Sequence, residues 1–303
     1  MSSRFRSVVV ATVAAMFVAV SIQTTHGGTR DALRVCADPN NMPFSNNREE
    51  GFENRIAHLV ANALGRRLDY VWWAQRRGFV RNTLNNESCD VIVGVPAQFE
   101  RALTTTPYYR STYVFVTRRS DPRPTGLDDP RLRRATIGVH LIGDDFANVP
   151  PAHALSQRGL VSNVRGYSIY GDYSQPDPPA NLIRAVASRD VDLAIAWGPL
   201  AGYFAKRSPV PLAITPVPQD AAAPALPFAY DIAMGVRRGD AALKRALDTV
   251  IASHRSDIDA ILAVYDVPRA DTPNRRAEAS ASAMRVDADA KASALRGRGR
   301  ARR

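Results

Sequence analysis

The feature that most constrains the fold is an alternation of short apolar strands and amphipathic helices between Leu33 and about Val267. The strand LRVCA precedes a segment whose apolar residues recur at helical spacing, and Gly65 stands where a helix cap belongs. The strands LDYVWW and CDVIVGV follow, and CDVIVGV is apolar throughout, as in a buried parallel sheet. This series predicts an α/β fold.

A charged, proline-rich segment, SDPRPTGLDDPRLRR, separates this series from a second series of the same kind. A further strand and a long amphipathic helix, with apolar residues from Leu243 to Leu262, come after the second series. We therefore predict two lobes, residues 29–118 with 226–268 and residues 119–225, between which the chain crosses twice. The expected cleft lies between the lobes at the carboxyl ends of the strands, where open α/β sheets bind ligands.

The N-terminus has the order of a targeting segment. Arg4 and Arg6 precede an apolar run from Val8 to Val20, and small and polar residues follow. The run is shorter than the ~20 apolar residues that a membrane span needs. Residues 1–28 are therefore predicted to be a secretory signal peptide rather than a membrane anchor. We expect the mature protein to be periplasmic, without a stable membrane anchor.

The C-terminal segment, residues 269–303, carries ten Arg and Lys residues against four Asp and Glu residues, and hardly any large apolar side chains. Such a composition cannot bury a core and predicts a disordered basic tail. The tail and the signal account for most of the net charge of +11. About +3 is left on the body, which argues against nucleic-acid binding. An acidic partner for the tail and a merely solvated tail both remain open.

Motifs of catalysis and metal binding are absent from the sequence. There is no G-x-S-x-G, no H-E-x-x-H, no glycine-rich phosphate loop and no calcium loop. No two of the five histidines stand at metal-ligand spacing. We therefore expect a protein that is not an enzyme and has neither a metal site nor a cofactor of its own.

The two cysteines could form a disulfide in an exported protein. However, Cys36 lies late in one predicted parallel strand and Cys89 opens another. Strands aligned at their starts would separate the two Cα atoms by several residues at ~3.3 Å each, beyond the usual limit of ~7 Å. The pattern therefore slightly favours two free thiols.

Several motifs resemble a known family. RVCADPNNMPF is similar to the first strand and ligand-facing loop of type II periplasmic binding proteins, and GFENRIAHLVANALG to the GFD-x-DL opening of their first helix. GVPAQFERALTTTPYY resembles their G-x-T-x-T-x-ER…FS-x-PYY segment. Stretches of both lobes, including WWAQRRGFVRNTLN, GDDFANVPPAHAL and VDLAIAWGPLAGYF, resemble the MoxJ/XoxJ family. Proteins of that family are associated with PQQ-dependent methanol dehydrogenases. The resemblance implies a two-lobed type II periplasmic binding protein fold and such a dehydrogenase as partner.

The resemblance also suggests which residues line the cleft. In amino-acid receptors of this class the arginine of ER forms a bidentate pair with the ligand carboxylate, and an acidic residue after the first strand can hold an ammonium group. Arg101 and Asp38 match these positions. Trp197 stands where many receptors have the aspartate for the α-ammonium group, and Pro96 removes a backbone donor. The candidate cleft residues are Asp38, Asn40, Phe44, Trp72, Arg76, Gly94, Pro96, Arg101, Asp144, Asp145 and Trp197.

These departures from the receptor pattern put amino-acid binding in doubt. Asp144 and Asp145 stand where other receptors hold anions, and two carboxylates there would repel an anionic ligand. A larger apolar ligand, or a peptide segment of a partner protein, fits the pattern better. Structural roles stay open as well: Arg101 could form a salt bridge with Glu100 or Asp90, and Asp38 could cap a turn.

Two functions follow as hypotheses. The first is a non-enzymatic periplasmic accessory protein that binds a PQQ-dependent methanol or alcohol dehydrogenase and assists its maturation or activation. The alternative is a solute-binding receptor of an ABC importer for a small organic ligand. A cleft lyase, such as a periplasmic cyclohexadienyl dehydratase, uses the same fold but lacks a placed acid–base pair here.

Overall fold

The computed structural model describes residues 31–141, 149–169, 173–220 and 226–270. The predicted signal peptide lies outside these residues, as does the predicted tail apart from its first two residues. The strands are β1 (Ala32–Ala37), β2 (Asn40–Asn41), β3 (Ser45–Asn46), β4 (Arg67–Trp72), β5 (Val91–Pro96), β6 (Leu103–Thr104), β7 (Tyr109–Arg118), β8 (Ile137–Leu141), β9 (Val164–Ser168), β10 (Leu193–Trp197), β11 (Leu212–Pro216) and β12 (Ala229–Val236). The helices are α1 (Phe52–Ala63), α2 (Phe79–Asn82), α3 (Pro150–Gln157), α4 (Asn181–Ser188), α5 (Gly198–Lys206), α6 (Ala241–Ser253) and α7 (Arg255–Val264).

One sheet runs through the described part of the chain in the order β4-β1-β5-β12-β7-β10-β8-β9. The strands β4, β1 and β5 are parallel, as are β9, β8 and β10 at the other end. Between them, β12 and β7 run antiparallel to their neighbours and carry the chain across. We call the elements around β1, β4 and β5 lobe one and those around β8, β9 and β10 lobe two. The predicted two-lobed α/β fold with two crossovers is confirmed, while the residue boundaries of the lobes stay a prediction.

The strand β7 joins the two lobes by pairing with a different strand along each half. Tyr109–Thr112 pair with β12, and Tyr113–Thr117 pair with β10. Beyond Thr112 its side chains alternate between the two apolar cores of lobe two. Phe115 faces the core that contains Ile137 and Leu155, whereas Val116 faces the core that contains Leu182. Both faces of this half are therefore covered, which explains why the strand is apolar on both sides.

The first helix is fixed to the loop before it. The N–H groups of Gly51 and Asn46 both donate to Oδ1 of Asn54, at 3.0 Å and 3.1 Å, so one side chain holds the helix start against β3. Behind this start, Phe52 and Ile56 are fully buried under the lobe-one sheet. The acidic residue between them in the first turn, Glu53, is left at the lobe surface that faces lobe two.

The cysteine prediction is wrong, because Cys36 and Cys89 form a disulfide with a Cα separation of 5.5 Å. The prediction placed Cys89 inside the strand, but β5 begins at Val91 and pairs there with Val35. Cys89 therefore lies in the connection before the ladder, where strand register does not set its position. Both sulfur-bearing side chains are buried in a small apolar cluster that includes Phe79 and Leu84.

The single long C-terminal helix expected from the sequence is two helices. The helix α6 ends at Ser253, and α7 begins at Arg255 after a non-helical His254 (φ −114°, ψ 28°). The break lets both segments bury their apolar residues, because Leu247 of the first and Ile258 of the second are fully buried in the lobe-one core. The hydrophobic spacing continues through the break, so periodicity alone did not mark it.

Candidate functional site

A cavity of about 400 Å³ lies between the lobes, at the carboxyl ends of β5, β8, β9 and β10. Its position agrees with the predicted interlobe cleft. Lobe one, lobe two and both crossover strands contribute to its wall. Among the described residues the lining is Asn41, Phe44, Glu53, Gln75, Gly94, Val95, Pro96, Tyr109, Tyr113, His140, Val149, Pro150, Ile169, Trp197, Leu200, Tyr230 and Ile232.

Aromatic rings form much of this wall. Trp197 makes edge contacts with Tyr113 and Tyr230, with ring centroids 5.3 Å and 5.8 Å apart. Its place is set by the turn into α5, because a Cβ on Gly198 would lie 2.5 Å from the carbonyl oxygen of Thr112. The start of α5 thus approaches β7 as closely as a glycine permits. This close contact holds the indole of Trp197 at the cavity.

Glu53 brings a carboxyl group to the same cavity. Its oxygens lie over Gly94 of β5, in the space that a Cβ at that position would occupy. No described residue donates a hydrogen bond to this carboxyl or forms an ion pair with it. Glu53 keeps part of its surface open to the cavity, but loss of surrounding water raises its pKa to about 8. The group is therefore mostly protonated near neutral pH.

The other polar groups of the lining are uncharged near neutral pH. Asn41 is only 7% exposed and donates its amide to Oε1 of Gln75 at 3.1 Å, while its Oδ1 has no hydrogen-bond partner among the described residues. Burial lowers the pKa of His140 to about 4, so this ring is neutral. No lysine or arginine occurs in the described lining. Within the described lining, Glu53 is the group that can ionise near neutral pH, and it then carries a negative charge.

Asp38 does not offer its carboxylate to the cavity, contrary to the sequence expectation. It is 2% exposed and accepts hydrogen bonds from the N–H groups of Asn40 (2.8 Å) and Gln75 (2.6 Å) and from the hydroxyl of Tyr173 (3.0 Å). Burial raises the pKa of this carboxyl, and the three donors offset part of the effect. Its role is to hold its own loop, which is the turn-capping alternative, and to contact lobe two.

The contact between Asp38 and Tyr173 belongs to an interlobe clasp. The second contact of the clasp runs from Nδ2 of Asn40 to the carbonyl oxygen of Gln175, at 3.0 Å. Asn40 therefore lies beside the cavity and bridges the lobes without lining the cavity itself. These two contacts close one side of the cleft.

The candidate Arg101 also lies outside the cavity lining. Arg101 is exposed in the connection between β5 and β6, where the N–H of Phe99 donates to the carbonyl oxygen of Pro96 and forms a turn. Among the described residues Arg101 forms no salt bridge with Glu100 or Asp90, the two partners considered from the sequence, and the Asp90 carboxylate binds Arg34 and Arg237 instead. These two guanidinium groups overcome the effect of burial and hold the pKa of Asp90 well below its usual range.

Two further candidates, Arg76 and Trp72, also lie outside the cavity lining. Arg76 is exposed, and Trp72 stacks on Tyr70 with ring centroids 4.5 Å apart against the lobe-one core. Asp144 and Asp145 lie outside the described residues. The candidates that line the cavity are Phe44, Gly94, Pro96 and Trp197.

Sequence reasoning missed the most distinctive polar residues of the cavity. Glu53 was part of the helix-opening motif and was given only a structural place. Its one signal was that an acidic residue follows the buried Phe52, on the helix start that faces the cleft. Asn41 stood three residues after Asp38, the acid that the sequence analysis had singled out, and His140 gave no signal beyond its place at the end of a strand.

The fold and the interlobe cavity define a two-lobed binding protein of the type II periplasmic class. The chain belongs to the bacterial extracellular solute-binding proteins, family 3, which match residues 33–265, and within that class to the MoxJ/XoxJ family. It is 36% identical to Protein MoxJ of Methylorubrum extorquens over 244 residues, which cover 78% of this chain and 81% of that protein.

Solved structures agree with this assignment. The periplasmic binding protein XoxJ from Methylobacterium extorquens AM1 is 38% identical, with a TM-score of 0.65 over 79% of this chain and 100% of that chain. MxaJ from Methlophaga aminisulfidivorans MPT is 25% identical, with a TM-score of 0.69 over 78% of this chain and 100% of that chain. Within the described ranges, no helix is long and apolar enough to cross a membrane.

Proposed function

We propose that this chain is a non-enzymatic periplasmic accessory protein that binds a PQQ-dependent methanol or alcohol dehydrogenase and assists its maturation or activation. The partner follows from the MoxJ/XoxJ membership. The observation that carries the proposal is that the cleft does not offer an amino-acid clamp. Arg101 is exposed and does not line the cavity, the Asp38 carboxylate is hydrogen-bonded within its own loop, and Trp197 stands at the position of the ammonium-binding aspartate.

A receptor that retained its nutrient would keep a guanidinium for the carboxylate and a carboxylate for the ammonium group, because a buried charge needs a partner. Here the described lining has neither a cation nor an ionised acid near neutral pH. The scaffold has therefore kept its two lobes and lost the chemistry that captures an amino acid. Such a change fits a scaffold whose use is to contact another protein.

The direct test is affinity capture from a periplasmic extract of the source organism. The tagged mature chain is expected to retain the dehydrogenase, whereas a similarly tagged amino-acid receptor of the same family is not. Deleting the gene should lower the amount of cofactor-loaded dehydrogenase without lowering its total amount, measured as activity and as antigen. If capture fails and the loaded fraction is unchanged, the accessory role is wrong.

A solute-binding receptor is the second candidate, and one observation favours it. The cavity is walled by both lobes, and the interlobe clasp closes one side, as in a protein that encloses a small ligand. A ligand that binds the folded state raises the melting temperature by mass action. A thermal-shift screen over amino acids, organic acids, alcohols, amines and PQQ tests this function. No shift with any of them would reject it.

A further inference from the structure

We propose that the interlobe cavity binds a small organic ammonium cation that carries no anionic group, with Glu53 as its counter-ion. The proposal concerns the ligand class of the cavity and goes beyond the accessory role. It does not depend on the dehydrogenase partner, so failed capture of that enzyme and failed binding of an ammonium compound are separate results.

The first support is the environment of Glu53. The carboxyl lies in the cavity over Gly94, and no described residue pairs with it. It belongs to the first turn of α1, where the helix dipole favours a negative charge. The surroundings therefore oppose ionisation only by excluding water, and a bound cation removes that opposition. An unpaired acid at a helix start is ready to receive a positive charge.

The second support is that the cavity offers another unused acceptor. Oδ1 of Asn41 has no hydrogen-bond partner in the part of the chain that the structure describes, although Asn41 is only 7% exposed. Its Nδ2 is already used on Gln75, so the free atom can only accept. An ammonium group has donors and no acceptors, which matches an unpaired carboxyl and an unpaired amide oxygen. A carboxylate ligand would meet the lone pairs of the Asn41 oxygen, and it would find no cation in the described lining to pair with.

The third support is the aromatic wall. Phe44, Tyr109, Tyr113, Trp197 and Tyr230 all line the cavity. The negative faces of such rings attract a cation, most strongly for indole, and the attraction grows when water is excluded. Aromatic rings around a carboxyl group are a general way to bind substituted ammonium ions. The same ring faces do not attract an anion.

The charge of the described lining supports the same ligand class. That lining contains no lysine or arginine, so no cationic side chain in it could neutralise a ligand carboxylate. The expected ligand is thus an amine or quaternary ammonium compound, and amino acids and carboxylic acids are excluded.

The test compares three probes that share one ring: benzylamine, benzyl alcohol and benzoate. Each is titrated calorimetrically into the full mature chain near pH 7. We expect benzylamine to bind at least about tenfold more tightly than benzyl alcohol, from the ion pair and the cation–π contacts together, and benzoate to show no binding. Binding of benzylamine should also release protons, visible as a dependence of the heat on the buffer, because Glu53 must ionise.

The variant Glu53→Gln removes the charge at nearly constant shape and should reduce benzylamine affinity by about tenfold while leaving benzyl alcohol unchanged. Glu100→Gln is the matched control, because that carboxylate is exposed on the turn after β5, away from the cavity. Equal or tighter binding of benzyl alcohol or benzoate, unchanged affinity in Glu53→Gln, or no binding of any probe would each overturn the proposal. The comparison of probes uses the unmodified protein, so it stands even if a variant fails to fold.

Discussion

At the scale of single residues, Glu53 couples the cavity to pH. Its folded-state pKa is about 8, above the ordinary value of an unfolded glutamate. Between those two values the unfolded chain is ionised while the folded chain holds a proton, so wild-type stability falls as pH rises through this window. The tyrosines nearest this carboxyl, Tyr70, Tyr108 and Tyr109, have pKa values raised by burial and titrate above the window.

The first prediction follows from this fall in stability with rising pH. Glu53→Gln should be as stable as wild type near pH 4.5 and more stable near pH 8, by on the order of 1–3 kcal/mol, because the glutamine cannot ionise. The stabilisation is limited to this range because the carboxyl of Glu53 keeps contact with water through the cavity. Urea unfolding at a series of pH values measures the difference. If the two proteins differ in unfolding free energy by the same amount at every pH, the pKa of Glu53 is not raised on folding.

Asp38 gives a second prediction at the same scale. Asp38→Ala leaves the partly buried N–H groups of Asn40 and Gln75 without their acceptor, which should lower the free energy of unfolding by about 1–3 kcal/mol. Chemical denaturation measures this loss. The control is Asp69→Ala, which removes an exposed carboxylate paired with Arg67 and should change stability by less than about 0.5 kcal/mol. Equal effects of the two variants would mean that Asp38 is not structurally important.

At the scale of secondary-structure elements, the disulfide links β1 to the connection before β5. The two cysteines are 53 residues apart, and closing a loop of that length lowers the entropy of the unfolded chain considerably. Replacing both by alanine should lower the free energy of unfolding by about 2–4 kcal/mol. Denaturation with and without a reductant measures this: the reductant should destabilise the wild type and leave the double variant unaffected. An unchanged wild type would contradict the bond.

The same scale shows how far sequence could predict the structure. The alternation of strand-like and helix-like hydrophobic patterns predicted the strands, the helices and the crossovers, because each element must bury a continuous apolar face. It could not locate Cys89 or Arg101, since both lie in connections whose paths depend on contacts distant in sequence. Nor could it separate Asp38 from Glu53 as the available acid. That distinction depends on which carboxyl meets hydrogen-bond donors after folding, and Asp38 meets three while Glu53 meets none in the described structure.

At the scale of the whole molecule, β7 and β12 join the lobes, and the clasp adds contacts on one side of the cavity. The clasp consists of hydrogen bonds from Tyr173 to Asp38 and from Asn40 to Gln175. Each is a partly or fully exposed contact worth about 1 kcal/mol or less. Breaking both should therefore shift the balance between closed and open lobes without unfolding either lobe, because each lobe keeps its own core.

The double variant Asn40→Ala with Tyr173→Phe tests this separation. Amide exchange should accelerate in residues 38–47 and 173–177 and stay unchanged in the core strands β1 and β10, because opening of the clasp exposes its loops without exposing the sheet. A cavity ligand should also dissociate several-fold faster, since an open cleft no longer retains it. Tyr167→Phe, which changes another tyrosine of lobe two outside the clasp, is the matched control. If exchange in the two loops is unaffected, the hydrogen bonds do not hold the lobes together, and closure depends on the crossover strands alone.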